Sequence, residues 1–139
     1  DQAAVVAQLD ERPCATQDLN IHGYHRSARQ FGDLAVYGSD AIGIQAIQDS
    51  DPAYGERLHA RLTPTAAEVI WAVRHEMART VEDFLSRRTR SLLLDARASI
   101  EMAPRVAAVM ASELGCDTDW QAAQVKAYTD LARNYLMVF

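Results

Sequence analysis

The feature that most narrows what this chain can fold into is the stretch opening at Pro64-Thr65-Ala66-Ala67-Glu68. Thr65 and Glu68 have the spacing of a capping box, in which a hydroxyl and a carboxylate satisfy two orphan amides of a helix's first turn. Behind it Ala66, Ile70, Val73, Met77, Val81 and Phe84 recur every three or four residues, an apolar stripe that predicts one long amphipathic helix. The other face carries Glu76, Arg79, Asp83 and Arg87. These alternate in sign three or four residues apart, and each exposed pair is worth about 0.2–0.5 kcal/mol.

Similar signals flank this run. Ser39 caps an expected helix through Ile42, Ile44 and Ile47, and Asp51-Pro52 supplies an N-cap and first-turn proline for a short helix through Tyr54, Leu58 and Leu62. A further helix is expected from Ser91, with Leu93, Ala96 and Ile100 inward. Pro104 opens another, carrying Val106, Val109, Met110 and Leu114 and closed by Gly115. Asp117 or Asp119 caps the last, whose Trp120, Ala123, Ala127 and Leu131 beside Val125, Tyr128 and Ala132 predict a wide buried face. No strand-like alternation interrupts the series. The expected fold is all-α: a compact bundle of about five or six helices preceded by an irregular N-terminal arm.

That arm spans residues 13–37, punctuated by Pro13, Thr16, Asn20, Gly23, Ser27, Gly32 and Asp33. It is longer than loops inside compact domains usually are, so it should lie against something. Before it, Gln2 to Leu9 forms a short helix that stops ahead of Pro13. The chain opens at Asp1 inside that helical text and without Met, which suggests a piece of a longer polypeptide. Its 139 residues leave room for one domain. With 49% hydrophobic and 24% charged residues, the disordered class is excluded. The net charge of −5 argues against a nucleic-acid partner, and no apolar run is long enough for a transmembrane segment.

Few residues carry a recognisable chemistry. His22 and His25 stand three apart in a turn-rich stretch, but no further ligands follow at a familiar metal spacing. His75-Glu76 begins like HExxH and fails at Arg79, and no glycine-rich phosphate loop or nucleophile elbow is present. No catalytic, cofactor-binding or metal residue is therefore assigned. Cys14 and Cys116 read as free thiols. Of 14 basic residues only Lys126 is not Arg, a bias that fits GC-rich codon usage. The densest charged stretch gives the candidate structural or docking set Arg74, Glu76, Arg79, Asp83, Arg87 and Arg88. The arginines at its end offset a helix dipole and pair with Glu82 and Asp83. The alternative is an anion- or partner-binding turn over Arg87-Arg88-Thr89-Arg90.

The same stretch, from Ala67 to Glu101, resembles the C-terminal helical domain of FAD-dependent glycerol-3-phosphate dehydrogenases and the related alpha-glycerophosphate oxidases. Its frame is Arg-x-Glu-x-x-Arg-x-x-x-Asp-x-x-x-Arg-Arg-Thr-Arg from Arg74 to Arg90. Leu19-Asn20-Ile21-His22-Gly23-Tyr24, Tyr37-Gly38-Ser39-Asp40-Ala41 and Ala132-Arg133-Asn134-Tyr135 fit the same family in order. The resemblance implies a parent enzyme that oxidises sn-glycerol 3-phosphate to dihydroxyacetone phosphate and passes electrons through FAD to quinone, or to oxygen in the oxidases. It implies that the flavin and the catalytic residues belong to an N-terminal body, with none in this chain. Residues 1–12 then belong to the tail of that FAD domain, 13–37 to the arm and 38–139 to the C-terminal helical domain. The expected partner is the N-terminal FAD and substrate domain of the same chain, with homodimerisation open to the isolated piece. The expected setting is bacterial and cytoplasmic, the parent lying peripherally on the inner face of the cell membrane.

Overall fold

The computed structural model describes residues 2–10, 14 and 16–136. The expected helix stop at Pro13 lies outside them. Within them the chain is mostly helical, as its periodicity predicts, with one small hairpin that the periodicity does not announce. A short helix α1, Gln2–Val6, comes first. Residues Ala28–Asp40 wind as tight 3-10 turns broken at Gly32 and Gly38, whose φ values are 58° and 57°. This part of the arm is thus turned rather than irregular, and Leu34 is buried.

Helix α2, Ala41–Ser50, follows. Its N-cap is Asp40, one residue beyond the expected Ser39, and Asp40 does not cap with its side chain. Its carboxylate instead meets His22 Nε2 at 2.8 Å, tying the arm to the helix start. Asp51 caps α3, Pro52–Gly55, by accepting from the Ala53 amide at 2.9 Å. That helix was expected to run through Leu58 and Leu62, but it ends after one turn. Strands β1, Arg57–His59, and β2, Leu62–Thr65, pair antiparallel, with Arg57 opposite Thr65 and His59 opposite Leu62. Leu58 and Leu62 stand four apart, a helical interval, yet both enter the core from strands. The β-branched Thr63 and Thr65 and the donor-less Pro64 suit an extended edge better than a helix.

Helix α4, Ala66–His75, begins with the capping box as predicted: the Thr65 amide donates to Glu68 Oε2 at 2.7 Å. It does not continue to Arg90. Met77 adopts φ 55°, and its side chain stands 77% exposed where the stripe placed it inside. Val81 regains the core just before a second segment, Asp83–Arg88, which is wound as a wide π-type turn and buries Phe84. Its i→i+5 bond runs from the Thr89 amide to the Phe84 carbonyl at 3.0 Å.

Helix α5, Ser91–Leu94, ends at Asp95, which swings to an extended backbone and caps α6, Ala96–Leu114, through the Ala98 amide. The break buries Leu92 and exposes Leu93, the reverse of the expected facing. Pro104 lies inside α6 rather than opening a helix. It is exposed, so water can reach the carbonyl its missing N–H leaves free. Gly115, with φ 70°, closes α6 as expected. Asp117 caps α7, Thr118–Arg133, by accepting from the Trp120 amide. This helix is rotated from its expected facing: Tyr128 and Ala132 are buried, whereas Ala123 and Ala127 are exposed.

The main core lies among α4, α6, α7 and the π-type segment, around Val69, Phe84, Met102, Val106, Met110 and Tyr128. A smaller cluster of Leu34, Ala41, Ile44 and Ala67, flanked by Tyr37 and Trp71, seats the arm and α2 against the other side of α4. That second cluster brings the arm to the charged end of α4.

Candidate functional site

The break in the long helix builds the site. After α4 the amides of both Glu76 and Ala78 bond the Ala72 carbonyl, so the chain turns sharply instead of adding another helical residue. Thr80 and Asp83 then form a second capping arrangement. The Asp83 amide donates to Thr80 Oγ1 at 3.1 Å, while the Arg79 and Thr80 amides each donate to Asp83 Oδ2 at 3.0 Å. Because α4 stops at His75, Glu76 and Arg79 no longer sit on one helix face, and their expected pair is not formed. The Arg79 guanidinium instead donates to the Val73 carbonyl at 3.3 Å. Its link to Asp83 runs through its backbone.

Two of the expected contacts come together by a different route. Arg87 grips both Asp83 and Glu82, the latter at 2.7 Å. Arg88 reaches back across the break to Glu76, with Nε 3.3 Å from Oε2 and Nη2 2.5 Å from the backbone carbonyl. A charged clasp therefore joins the π-type segment to the end of α4. Arg74 is not part of it. Its guanidinium forks onto Glu113 of α6 at 2.6 and 2.9 Å and fastens two helices elsewhere.

The arm also reaches this region, through Tyr37, a contact that local sequence does not reveal. Tyr37 donates to Glu68 Oε1 at 3.2 Å. Burial, then the nearby Glu68 and Glu76 carboxylates, push its phenol far above the ordinary range. Burial likewise raises the Glu68 carboxyl, outweighing the bonds it accepts from Thr65 and Tyr37. Glu76 is also raised by burial, against the pull of Arg88. In Asp83, burial is overcome by hydrogen bonds from Arg79, Thr80 and Arg87, and its carboxyl is held low. Tyr37, Thr63 and Glu68 line one cleft of about 520 Å³ together with Arg87, Arg88 and Arg90.

The arm is held by backbone. The Ser39 amide donates to the Gly23 carbonyl at 3.0 Å, and a Cβ on Gly38 would fall 1.7 Å from that same oxygen. Two strings read separately in the sequence, around Gly23 and around Gly38, thus form one contact. His22 and His25 diverge: one binds Asp40, while the other accepts from the Ser27 amide and packs edge-on against Phe31. Among the described residues no three His, Cys, Asp or Glu gather as metal ligands. Cys14 and Cys116 are free thiols, and no described helix is long and apolar enough to cross a membrane.

Residues 14–124 match the family described as the C-terminal domain of alpha-glycerophosphate oxidase. The chain belongs to that family. It is 39% identical over 146 residues to a probable mitochondrial glycerol-3-phosphate dehydrogenase of Caenorhabditis elegans, covering 91% of this chain and 20% of the relative. With the mitochondrial glycerol-3-phosphate dehydrogenase of Mesocricetus auratus it shares 28% over 156 residues, covering 98% of this chain and 21% of the relative. The Schizosaccharomyces pombe enzyme matches over 52% of the chain and 10% of its own length at 38% identity. The chain thus spans about a fifth of the worm and hamster relatives. No solved structure matches. These family relatives are mitochondrial and eukaryotic, which overturns the expected bacterial, cytoplasmic or cell-membrane setting.

Proposed function

We propose that this chain is the non-catalytic C-terminal helical domain of a flavin-dependent mitochondrial glycerol-3-phosphate dehydrogenase. Its parent oxidises sn-glycerol 3-phosphate to dihydroxyacetone phosphate, and FAD takes the hydride. The observation that carries the reading is the family match over residues 14–124 to the C-terminal domain of alpha-glycerophosphate oxidase, beside the likeness to mitochondrial glycerol-3-phosphate dehydrogenases. The division into a preceding tail (1–12), an arm (13–37) and a helical body (38–139) belongs to this proposal.

The chain's own residues suit a brace better than a flavin site. A dinucleotide needs a glycine-rich turn that opens a helix beneath the pyrophosphate. The sequence holds no such fingerprint, and Gly23 and Gly38 are occupied in holding the arm. FAD is accordingly assigned to the N-terminal body. The clasp of Glu76, Arg79, Asp83, Arg87 and Arg88 stiffens the break after α4 and presents charge to that body, while Arg74 locks α4 to α6 behind it. Where a partner buries such pairs, removing one member costs about 3–5 kcal/mol, because the other charge is left uncompensated.

The test is turnover. The purified 139-residue chain, given glycerol 3-phosphate, added FAD and an artificial electron acceptor, should reduce none of the acceptor. The full-length parent should reduce it readily. Turnover by the chain alone would end this assignment.

A further inference from the structure

We propose, on the footing of the function proposed above, that the preceding body of the parent enzyme seats on the turn carrying Leu93 and Leu94, with Tyr135 beside it. Two departures from helical backbone set the direction of these leucines. Arg90 takes a left-handed conformation, φ 55°, before α5, and Asp95 swings to φ −158° and ψ 92° after it. A helix running on unbroken would need neither. Between them α5 is one fastened turn: the Leu93 and Leu94 amides both donate to the Arg90 carbonyl, at 2.9 and 3.1 Å, and the Asp95 amide to that of Ser91 at 2.9 Å. Ser91 and Leu92 anchor the turn in the interior, and the Ser91 hydroxyl lies 2.7 Å from that of Thr89. The turn thus buries one leucine and holds the next two in water, 67% and 73% exposed. A strained non-glycine residue that its surroundings hold in place points to a use for what it presents.

Leu93 and Leu94 share one groove of about 390 Å³ with Ala96, Tyr135 and Leu136. Tyr135, itself exposed, brings the residues after α7 to that groove. Val36, Ile42 and Met77 are exposed too, but they belong to three separate segments: the arm, α2 and the turn after α4. Single exposed apolar side chains are ordinary, whereas a cluster of them on one groove marks an interaction surface, where tyrosine is enriched.

The preceding body suits this surface better than a second copy or a lipid. The matched region is described as a C-terminal domain, and the chain spans about a fifth of the worm and hamster relatives. Most of such a polypeptide lies outside these helices yet is tethered to them, and tethering gives it an effective concentration that a separate copy lacks. An anionic lipid surface is disfavoured by the net charge of −5 and by Asp95 in the groove lining. Asp95 pairs with Arg61 at 3.3 Å, while Arg97, exposed in the same lining, makes no ion pair among the described residues. The complementary patch on the body therefore carries apolar side chains with a carboxylate at its edge for Arg97.

The experiment is hydroxyl-radical footprinting, read by mass spectrometry, of the 139-residue chain and the full-length parent, both free of lipid and at equal concentration. Labelling of Leu93, Leu94 and Tyr135 should slow several-fold in the parent. In a parent carrying Leu94→Asp, Leu93 and Tyr135 should regain the rate of the isolated chain. The same substitution in the 139-residue chain should leave its circular dichroism unchanged, because that side chain already stands in water. Equal rates in the two proteins would overturn the proposal, as would protection at Met77 instead, or protection that survives Leu94→Asp. So would protection already present in the isolated chain together with a dimer in sedimentation, or protection gained only on adding phosphatidylcholine–phosphatidylglycerol vesicles. The function proposed above fails on a different readout, turnover by the chain alone, so either can fall without the other.

Discussion

Gly38 shows how much of this molecule rests on single backbone positions. Its φ of 57° and the 1.7 Å that would separate an added Cβ from the Gly23 oxygen make it intolerant of any side chain. Gly32 has nearly the same φ, 58°, with nothing within 4 Å of its would-be Cβ. Gly32→Ala should therefore cost about 1–3 kcal/mol, the strain of its positive-φ backbone (φ 58°, ψ −123°) alone. Gly38→Ala should cost clearly more, because the arm must also move off its contact. Urea unfolding of the two variants side by side checks this, and equal losses would count against the Gly23–Gly38 strap. Gly32 is legible in the sequence as a turn residue, but Gly38 is not; that residue 38 touches residue 23 is a tertiary fact with no local signature.

Glu68 makes a prediction in pH at the same scale. Its native carboxyl titrates above its ordinary 4.5, so the folded protein binds more protons than the unfolded chain in the interval above that value. Stability contributed by this group is full below about 4.5 and is lost as the pH rises through the raised native value. Asp83 runs the other way: its carboxyl is held below 3.8, so its contribution is lost as the medium acidifies past that point. Glu68→Gln should lower stability, through the lost capping carboxylate, and flatten the decline between pH 4.5 and neutrality. Denaturation midpoints at several pH values measure both effects, and an unchanged slope would refute this account of Glu68.

Among the elements, several capped ends are legible in the sequence: Thr65 with Glu68, Asp51, and Asp117 of the pair Asp117 or Asp119 cap with side chains, and Gly115 closes α6 through its left-handed backbone. Continuity between caps was harder to read. The stripe from Ala66 to Phe84 is uninterrupted in sequence, yet the helix breaks at Glu76, because Ala78, Val81 and Phe84 reach the core by a turn and a π-type segment instead. The signal that could have exposed the break is Thr80-x-x-Asp83, a capping spacing inside an apparent helix. Leu58 and Leu62 misled for a related reason, since an interval of four does not tell a helix from the two sides of a short hairpin. Pro104 was read as a helix start and proved to be interior. Exchanging it for Ala restores a donor toward the Ile100 carbonyl at an exposed position, so Pro104→Ala should stabilise the protein by about 1–2 kcal/mol. A lower melting temperature would show that α6 has its present packing because of the proline.

At the scale of the whole molecule, α4 is the common partner. It packs on α6, receives α2 and the arm on its other side, and is clasped at its end by Arg88. The all-α class is readable from the series of helical periods along the chain, and the family from the dense stretch Ala67–Glu101 with three shorter strings around it. The candidate site was only half readable, because Arg87, Arg88 and Arg90 stand together in the chain while Tyr37, Thr63 and Glu68 arrive through the fold. The proposed function places the redox chemistry outside these helices, in a body that carries the flavin. Calorimetric titration of FAD addresses that claim most directly, with the purified chain in one cell and the flavin-stripped full-length parent in another. The account predicts stoichiometric binding by the parent and no saturable heat from the chain. Stoichiometric FAD binding by these 139 residues alone would contradict it.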